Sequence, residues 1–206
     1  MKKIEENKEI NLKIKPKLFV VSAPSGAGKS TIVAKAIEYL NRHGVPVERV
    51  ITYTTKKPHD SELVKGDYHF ISQDEFERKI QENFFLEWST VYGTYYGSPR
   101  SIIAHPNCER SYILILDRLG WQALLAQNIS AVSIWLEPPS LEILKERLLI
   151  RNRDSLQTIE KRLALAQLEM EQEKEEKLYR YKIVNDVLGL ALQEFLIIIS
   201  QELKKY

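Results

Sequence analysis

The chain has 206 residues, of which 44% are hydrophobic and 28% are charged, and its formal net charge is +2 at pH 7. This length and apolar content allow one sizeable core, while the near-neutral charge lacks the basic field that nucleic-acid binding requires. The single cysteine, Cys108, and four histidines offer no cluster with metal-ligand spacing and no intramolecular disulfide, as expected of a reducing compartment. We therefore expect a globular, cytoplasmic protein with neither a nucleic-acid partner nor a structural metal.

Neither end of the chain predicts a membrane partner. Residues 1–17 mix charge signs and contain no apolar core of signal-peptide length, so we expect an N-terminal extension ahead of the first strand. The apolar stretch 187–200 is short and is interrupted by Gln193 and Glu194. It predicts a C-terminal helix packed on the core.

The first predicted elements enclose a loop of small residues. The apolar run 18–22 predicts a buried parallel strand, and apolar residues at helical spacing predict a helix over 29–42. Glycines let the N–H groups of the loop point inward, which with the helix N-terminus makes a cradle for an anion. The loop matches the phosphate-binding motif, with alanine in place of the usual first glycine. The residues expected to bind phosphates are Ala23, Pro24, Ser25, Gly26, Ala27, Gly28, Lys29, Ser30 and Thr31.

Three of these residues have distinct roles in the motif. Lys29 is expected to reach the β- and γ-phosphates, the Ser30 hydroxyl to bind Mg²⁺, and Thr31 to lie beside the α-phosphate. The alternative, a plain glycine turn that opens a helix, does not explain why strand, loop, lysine, hydroxyl and helix follow one another in order. The sequence therefore predicts a nucleotide-binding site that uses Mg²⁺.

The middle stretch, residues 50–98, is less helical. Strand-like segments (ITYT, YHFI and EWSTVYGTYYG) surround a short helix, DEFERKIQE, which predicts a small inserted subdomain that is largely antiparallel. Hydroxyls and bases concentrate here, and the carboxylate of Glu87 stands between the apolar residues Leu86 and Trp88. This mixture fits a polar pocket better than a core.

Strands and helices alternate again after residue 98. The apolar segments YILILD, AVSIWL and YKIVN predict strands, separated by helical patterns over 119–127, 140–149 and 157–178 and followed by the last helix. Such alternation predicts a parallel sheet that is covered by helices on both faces.

The motifs of the middle stretch resemble those of the guanylate kinase family, in which YTT(R)xP(R)xxE, DYxF, FxEW and GxYYGS form the lobe that binds GMP. The resemblance runs from the phosphate loop to IVND near residue 186. It implies an α/β fold over 18–206: a P-loop kinase core (18–50 and 99–206) whose parallel sheet is flanked by helices, a mixed or antiparallel GMP-binding lobe (about 51–98), and a helical lid (about 147–163). It also implies ATP-dependent phosphorylation of GMP, and of dGMP, to the corresponding diphosphate in purine nucleotide metabolism.

The resemblance assigns an acceptor site. Glu87 is expected to read guanine, whose N1–H and N2 amine can both donate to one carboxylate, with Thr52 and Ser98 as hydroxyl partners to the base. Tyr68 and Tyr96 match the family tyrosines that hold the GMP phosphate. The alternatives are a surface glutamate on a strand edge and tyrosines packed in an aromatic core.

Two departures from the family pattern affect the same region. Lys56 and His59 stand where the family has arginines that bind the acceptor phosphate. A planar guanidinium, which can bind two oxygens, is thus replaced by the point charge of a lysine and by the titratable ring of a histidine. The strand that ends in Asp-x-Asp in the family keeps only Asp117, with Ile115 at the first aspartate position. Asp117 is expected to orient Mg²⁺-bound water or contact GMP, or else to form a turn at the strand end. Both departures bear on the catalytic rate and on the affinity for the acceptor.

Three arginines resemble those of the family lid, which close over the ATP phosphates. Arg147 and Arg151 are four residues apart and share a helix face, and Arg162 follows a polar break. A solvated basic face would show the same pattern. Asn185 matches a family position near the adenine of ATP.

These observations predict an ATP:GMP phosphotransferase that is a monomer or a homodimer. Two alternatives remain open. One is a guanylate-kinase-like binding domain with weakened catalysis, which the lost arginines would suit. The other is a P-loop kinase for another small phosphate acceptor, such as a ribose phosphate.

Overall fold

The computed structural model describes residues 16–58, 66, 68–103, 110–151 and 154–204. In chain order its elements are β1 (Leu18–Ser22), α1 (Lys29–Arg42), β2 (Val47–Arg49), β3 (Thr52–Thr54), β4 (Tyr68–Phe70), α2 (Gln73–Gln81), β5 (Phe85–Val91), β6 (Thr94–Pro99), a 3₁₀ turn (Arg100–Ile103), β7 (Ser111–Leu116), α3 (Arg118–Ala126), β8 (Val132–Glu137), α4 (Leu141–Arg151), α5 (Leu156–Glu176), β9 (Tyr181–Val184) and α6 (Leu188–Lys204).

Five strands form the main sheet in the order β2-β7-β1-β8-β9, and every pair is parallel. Strand β1 lies at its centre, where its side chains are almost all buried, as the continuous apolar run predicts. In the register of β1 and β7, Ser22 faces Leu116. The loop after β1 and Asp117 after β7 therefore leave the sheet side by side.

Helices cover both faces of the main sheet, which confirms the predicted α/β class. On one face, α1 and α6 pack into a core that includes Ala36, Leu40, Phe195 and Ile199. On the other face, Trp121 and Leu124 of α3 pack into a second core. No helix within the described ranges is long and apolar enough to cross a membrane.

Four strands form a second sheet in the order β4-β3-β6-β5. The β3–β4 pair is parallel, whereas β3–β6 and β5–β6 are antiparallel, so the sheet is mixed. Helix α2 anchors it through Phe76, whose ring stacks on Phe85 at 4.4 Å and on Tyr95 at 5.0 Å between centroids. This arrangement leaves the other side of the sheet to carry polar residues.

Helices α4 and α5 form a helical pair beside the sheets. Leu144 and Leu148 of α4 pack against Ile159 and Ala166 of α5 in a small core of their own. Helix α5 begins after Ser155, whose hydroxyl accepts a hydrogen bond from the backbone N–H of Thr158. The pair spans the region predicted to be a lid.

Candidate functional site

A cavity of about 550 Å³ lies where the carboxyl ends of β1 and β7 meet the second sheet and helix α5. Most of the residues predicted to bind substrates contribute to its walls. They are Ala23, Ser25, Gly26, Gly28, Lys29, Ser30, Thr31, Thr52, Lys56, Tyr68, Glu87, Tyr96, Asp117, Arg151 and Arg162. Clefts at the carboxyl edge of a parallel sheet are the usual ligand sites of α/β proteins.

Other predicted residues lie behind the cavity or outside the described residues. Ala27 is fully buried in the first core, and Ser98 is fully buried within the second sheet, on β6. Arg147 and Asn185 form hydrogen bonds to backbone oxygens and do not line the cavity. Pro24 contributes its carbonyl oxygen to the loop. His59 lies outside the described residues.

The loop between β1 and α1 has the curled backbone of an anion cradle. Gly26 and Gly28 have φ angles of +98° and +100°, which side chains with a Cβ rarely adopt. Gly28 also has no room for a Cβ, which would lie 2.5 Å from Nδ2 of Asn185. Asn185 in turn donates a 2.7 Å hydrogen bond from that amide to the carbonyl oxygen of Ala27. The loop is thus fixed from behind.

Lys29 reaches back over this loop. Its Nζ donates to the carbonyl oxygen of Ala23 at 2.6 Å and to that of Pro24 at 3.3 Å. Burial lowers the pKa of Lys29 to about 8, although the nearby carboxylates of Glu169 and Asp117 oppose this shift. A bound polyphosphate would offer the ammonium group a stronger partner than carbonyl oxygens and would raise its pKa again.

Glu87 on β5 is the buried carboxylate of the second sheet. It faces Ser98 of β6 in the strand register, and its Oε1 has no hydrogen-bond partner among the described residues. Burial raises the pKa of Glu87 to about 7, and the charge of Asp117 adds to this rise, while Ser98 opposes it. A buried acceptor without a donor is costly. A ligand that brings donors into the cavity would remove that cost.

Two tyrosines stand beside Glu87 at the cavity wall. The rings of Tyr68 and Tyr96 meet edge to face with centroids 6.1 Å apart, and the guanidinium of Arg49 lies 5.7 Å from the Tyr68 ring centroid. Both tyrosines are half-buried and line the cavity. Ring packing and a polar role at the cavity are therefore compatible for both.

Asp117 caps helix α3. Its Oδ1 accepts the backbone N–H of Gly120 at 2.7 Å, and its Oδ2 accepts the hydroxyl of Ser89 at 2.5 Å. This geometry matches the turn at the strand end that the sequence left as an alternative. Asp117 also lines the cavity, so its charge acts on the ligand site while its oxygens hold protein groups.

The three predicted lid arginines separate into two groups. Arg151 and Arg162 line the cavity, and Arg162 forms an ion pair with Asp154 at 3.0 Å. Arg147 instead donates from Nη2 to the backbone oxygen of Asn185 at 2.8 Å and to that of Asp186 at 3.3 Å. Arg147 and Arg151 share a helix face, but only Arg151 reaches the cavity. Arg147 is held by its hydrogen bonds to the segment after β9.

Glu169 lines the cavity and was not among the predicted site residues. Burial raises its pKa to about 7; the charge of Lys29 opposes this rise and that of Asp117 adds to it. A signal for it was present in the sequence, because Arg162, Leu165 and Glu169 recur at the i, i+3, i+7 spacing of one helix face.

Helix α5, which carries Glu169, is fixed at both of its ends. Arg118 of α3 donates to Glu173 and to Glu176, both at 2.7 Å, and the first pair is buried. At the other end, the hydroxyl of Tyr92 donates to the backbone oxygen of Lys161 at 3.3 Å, which joins the β5–β6 turn to α5. The two sheets and α5 therefore enclose one site.

The described residues contain no group of three His, Cys, Asp or Glu side chains that could hold a metal ion. Ser30 is nevertheless suited to Mg²⁺, since it stands exposed at the start of α1 and lines the cavity. Mg²⁺ commonly keeps several waters and takes few protein ligands when phosphates supply the rest. The residues present therefore fit a metal that arrives with a nucleotide.

Comparisons with known proteins agree with this geometry. The protein-family model described as Guanylate kinase matches residues 15–202 of the chain. The chain is 39% identical over 186 residues to the guanylate kinase of Nitrosospira multiformis, covering 90% of this chain and 85% of that one. It is 41% identical over 181 residues to the guanylate kinase of Protochlamydia amoebophila, covering 87% of each. The fold is similar to the crystal structure of guanylate kinase from Anaplasma phagocytophilum, with a TM-score of 0.71 and 24% identity over 94% of this chain and 88% of that one.

Proposed function

The chain belongs to the guanylate kinase family and catalyses the ATP-dependent phosphorylation of GMP, and we propose how its cavity divides the work between the two nucleotides. The phosphate loop after β1 takes ATP, and the polar side of the second sheet takes GMP. The observation that carries this division is the placement of two groups in one cavity: Lys29, whose Nζ reaches back over the phosphate loop, and Glu87, whose buried Oε1 has no partner among the described residues. The lowered pKa of Lys29 and the raised pKa of Glu87 agree with this division, because a ligand that stabilises the charged form of each group would shift its pKa back.

At the donor end, Lys29 exchanges its carbonyl partners for the β- and γ-phosphate oxygens, and the backbone N–H groups of the loop hold the rest of the triphosphate. Members of the family generally use a metal ion with ATP, and we assign Mg²⁺ to the Ser30 hydroxyl. When bound, the ion would neutralise the charge that develops on the phosphate oxygens. Thr31 stands next along the same helix turn, beside the α-phosphate.

At the acceptor end, the Glu87 carboxylate accepts the N1–H and the N2 amine of guanine, which satisfies the unpaired Oε1. Adenine presents no such pair of donors, so it would leave the carboxylate buried and unmatched. Thr52 lies at the cavity wall as a hydroxyl partner to the base, whereas Ser98 lies opposite Glu87 on β6, buried and away from the cavity wall. Tyr68 and Tyr96 hold the acceptor phosphate together with Lys56. We include dGMP as an acceptor, because this readout concerns the base.

The transfer itself requires positioning and compensation of charge more than covalent chemistry. Arg151 and Arg162 face the cavity between the two ends, where their charges stabilise the oxygens of the transferring phosphoryl group. Closure of helices α4 and α5, as the lid, excludes water, which would otherwise compete with GMP as the acceptor. No general base is needed.

A coupled assay of ADP release tests this assignment. We expect turnover with GMP and dGMP, and at least about 100-fold lower kcat/KM with AMP, because polar mismatches of this kind reject analogues strongly. Ribose 5-phosphate is the acceptor that would reveal the related kinase class. GMP binding by calorimetry without any ADP release would indicate a binding domain instead. Glu87→Gln is the matched variant: unchanged discrimination between GMP and AMP would place the guanine reader elsewhere.

We further propose a cytoplasmic role in purine nucleotide metabolism, without nucleic-acid partners. The near-neutral charge and single cysteine support this view. For the oligomeric state we propose a monomer or a homodimer, which light scattering of the purified protein would distinguish.

A further inference from the structure

Gly120 is the third residue of helix α3, a position where glycine is unfavourable. Glycine costs a helix interior about 1 kcal/mol relative to alanine because it gives up more backbone freedom. The backbone gives no reason for it here, since the φ angle of Gly120 is not among the positive ones. The residue is buried. The space around Gly120 therefore decides whether a side chain could be accommodated.

A side chain at position 120 would collide with Glu87. A Cβ built on Gly120 would lie 2.7 Å from Oε2 of Glu87 and 3.4 Å from its Cδ, whereas a real Cβ essentially never comes within 3.0 Å of a heavy atom. The next contact, Oδ1 of Asp117, would be at 3.4 Å, which is tolerable. The carboxylate of Glu87 thus lies directly over the bare Cα of Gly120, and it is the group that a methyl would displace.

We propose that Gly120 is a positioning residue that determines acceptor specificity: its missing side chain leaves the space in which the Glu87 carboxylate is held toward the cavity. This inference rests on the proposed role of Glu87 as the guanine reader. It adds a residue that does not line the cavity and that reaches the substrate only through another side chain.

The geometry also says why a methyl at this position acts on the site more than on the fold. The close contact is with the far end of a flexible side chain and not with backbone. The N–H of Gly120 keeps its 2.7 Å hydrogen bond to Asp117 in an alanine variant. Alanine is also the better helix former. The expected consequence is a displaced carboxylate in an intact helix.

The experiment compares Gly120→Ala with Gly189→Ala. Gly189 is also helical, in α6, but a Cβ there meets no heavy atom within 4 Å, so it controls for the helix effect alone. For Gly120→Ala we expect the KM for GMP to rise about tenfold or more, the loss of roughly one charge-assisted hydrogen bond, with the KM for ATP within about twofold of wild type. The ratio of kcat/KM for GMP over IMP should fall, because inosine lacks the N2 amine. Gly189→Ala should change none of these.

A second substitution identifies the clashing group. Glu87→Asp shortens the side chain by one methylene, so the double variant Gly120→Ala/Glu87→Asp has room for both groups. We expect its GMP kcat/KM to exceed the value calculated from the two single variants if their effects were independent. The same double variant answers the case in which Gly120→Ala does not fold, since relief of the clash should then restore the melting temperature.

The outcomes separate this inference from the function on which it rests. Absence of GMP phosphorylation in the wild type would overturn the proposed function. An unaffected Glu87→Gln variant would overturn the guanine reader. If Glu87→Gln is impaired while Gly120→Ala behaves like Gly189→Ala, or if the double variant shows only independent losses, the function stands and the role of Gly120 is overturned.

Discussion

The side-chain amide of Asn185 donates a 2.7 Å hydrogen bond to the carbonyl oxygen of Ala27, a residue 158 positions earlier in the chain. The backbone oxygen of Asn185 in turn accepts from Nη2 of Arg147 at 2.8 Å. A chain of contacts therefore runs from helix α4, through the segment after β9, to the phosphate loop. The shape of that loop depends on residues that come late in the sequence.

We predict that Asn185→Asp disturbs the phosphate loop. The substitution keeps the size of the side chain but replaces the amide donor with an acceptor, which leaves the carbonyl oxygen of Ala27 unsatisfied. An unsatisfied buried group costs about 1–3 kcal/mol, so the melting temperature should fall and the KM for ATP should rise more than that for GMP. Thermal unfolding and steady-state kinetics measure both.

The choice of donor distinguishes loop support from contact with adenine, the role that the family pattern suggests for Asn185. A residue that holds the loop should affect ATP and GTP as phosphoryl donors by the same factor. A loss confined to ATP, with unchanged stability, would contradict the supporting role.

We predict different effects for the three lid arginines. Arg151→Ala and Arg162→Ala should each lower kcat on the order of 100-fold, the usual effect of removing one group that stabilises a developing charge. Arg147→Ala should mainly lower the melting temperature and raise the KM for ATP, since Arg147 holds backbone oxygens outside the cavity wall. Equal losses of kcat in all three variants would show that Arg147 also reaches the phosphates.

Much of the fold could be predicted because it is encoded locally. The apolar run 18–22 and the helical spacing over 29–42 coincide with β1 and α1 as observed. The alternation of later strands and helices gives the parallel sheet, and the family pattern gives the mixed lobe. Helix α4 extends to Arg151, past the predicted end at 149, because no local signal stops it there.

The positions of individual side chains were harder to predict, since they depend on contacts between distant segments. Spacing puts Arg147 and Arg151 on one helix face but cannot show that the backbone after β9 lies against one of them. In the sequence alone, Gly120 is only an unfavourable residue in a predicted helix. Its close contact with Glu87, which lies on the second sheet, is visible only in the structure. Glu169 differs in this respect, because its helix face was readable from Arg162.

The lowered pKa of Lys29 predicts a pH dependence of ATP binding. Free Lys29 loses its proton near pH 8, and the anionic triphosphate favours the protonated form, so ATP affinity should fall as the pH rises above about 8. Glu169→Gln removes a negative charge that raises the pKa of Lys29, so the fall should begin at lower pH. Calorimetric titration with ATP from pH 7 to 9.5 measures the profile. Lys29→Arg is the control, because arginine stays charged; a parallel profile in that variant would assign the dependence to another group.

The raised pKa of Glu87 predicts that GMP binding weakens as the pH falls, whereas ATP binding weakens as the pH rises. Free Glu87 gains a proton as the pH falls through about 7, and guanine's paired donors need the ionised carboxylate. GMP binding must then release that proton, so the KM for GMP should rise as the pH falls from 8.5 to 6.5. Glu87→Gln cannot titrate and should show a flatter profile at a higher KM, and it also reports any contribution from the phosphate of GMP itself.

A second titrating group, His59, is expected to change the KM for GMP with pH in the opposite direction to Glu87. If His59 faces the acceptor phosphate, as the family pattern predicts, its protonation near pH 6.5 would tighten GMP binding as the pH falls. The two effects have opposite signs, and His59→Arg separates them because it replaces the titrating charge with a permanent one. In that variant the KM for GMP should rise more steeply towards pH 6.5 than in the wild type. A KM that stays constant in His59→Arg would mean that Glu87 remains ionised throughout, despite its burial, and that the wild-type profile belongs to the histidine.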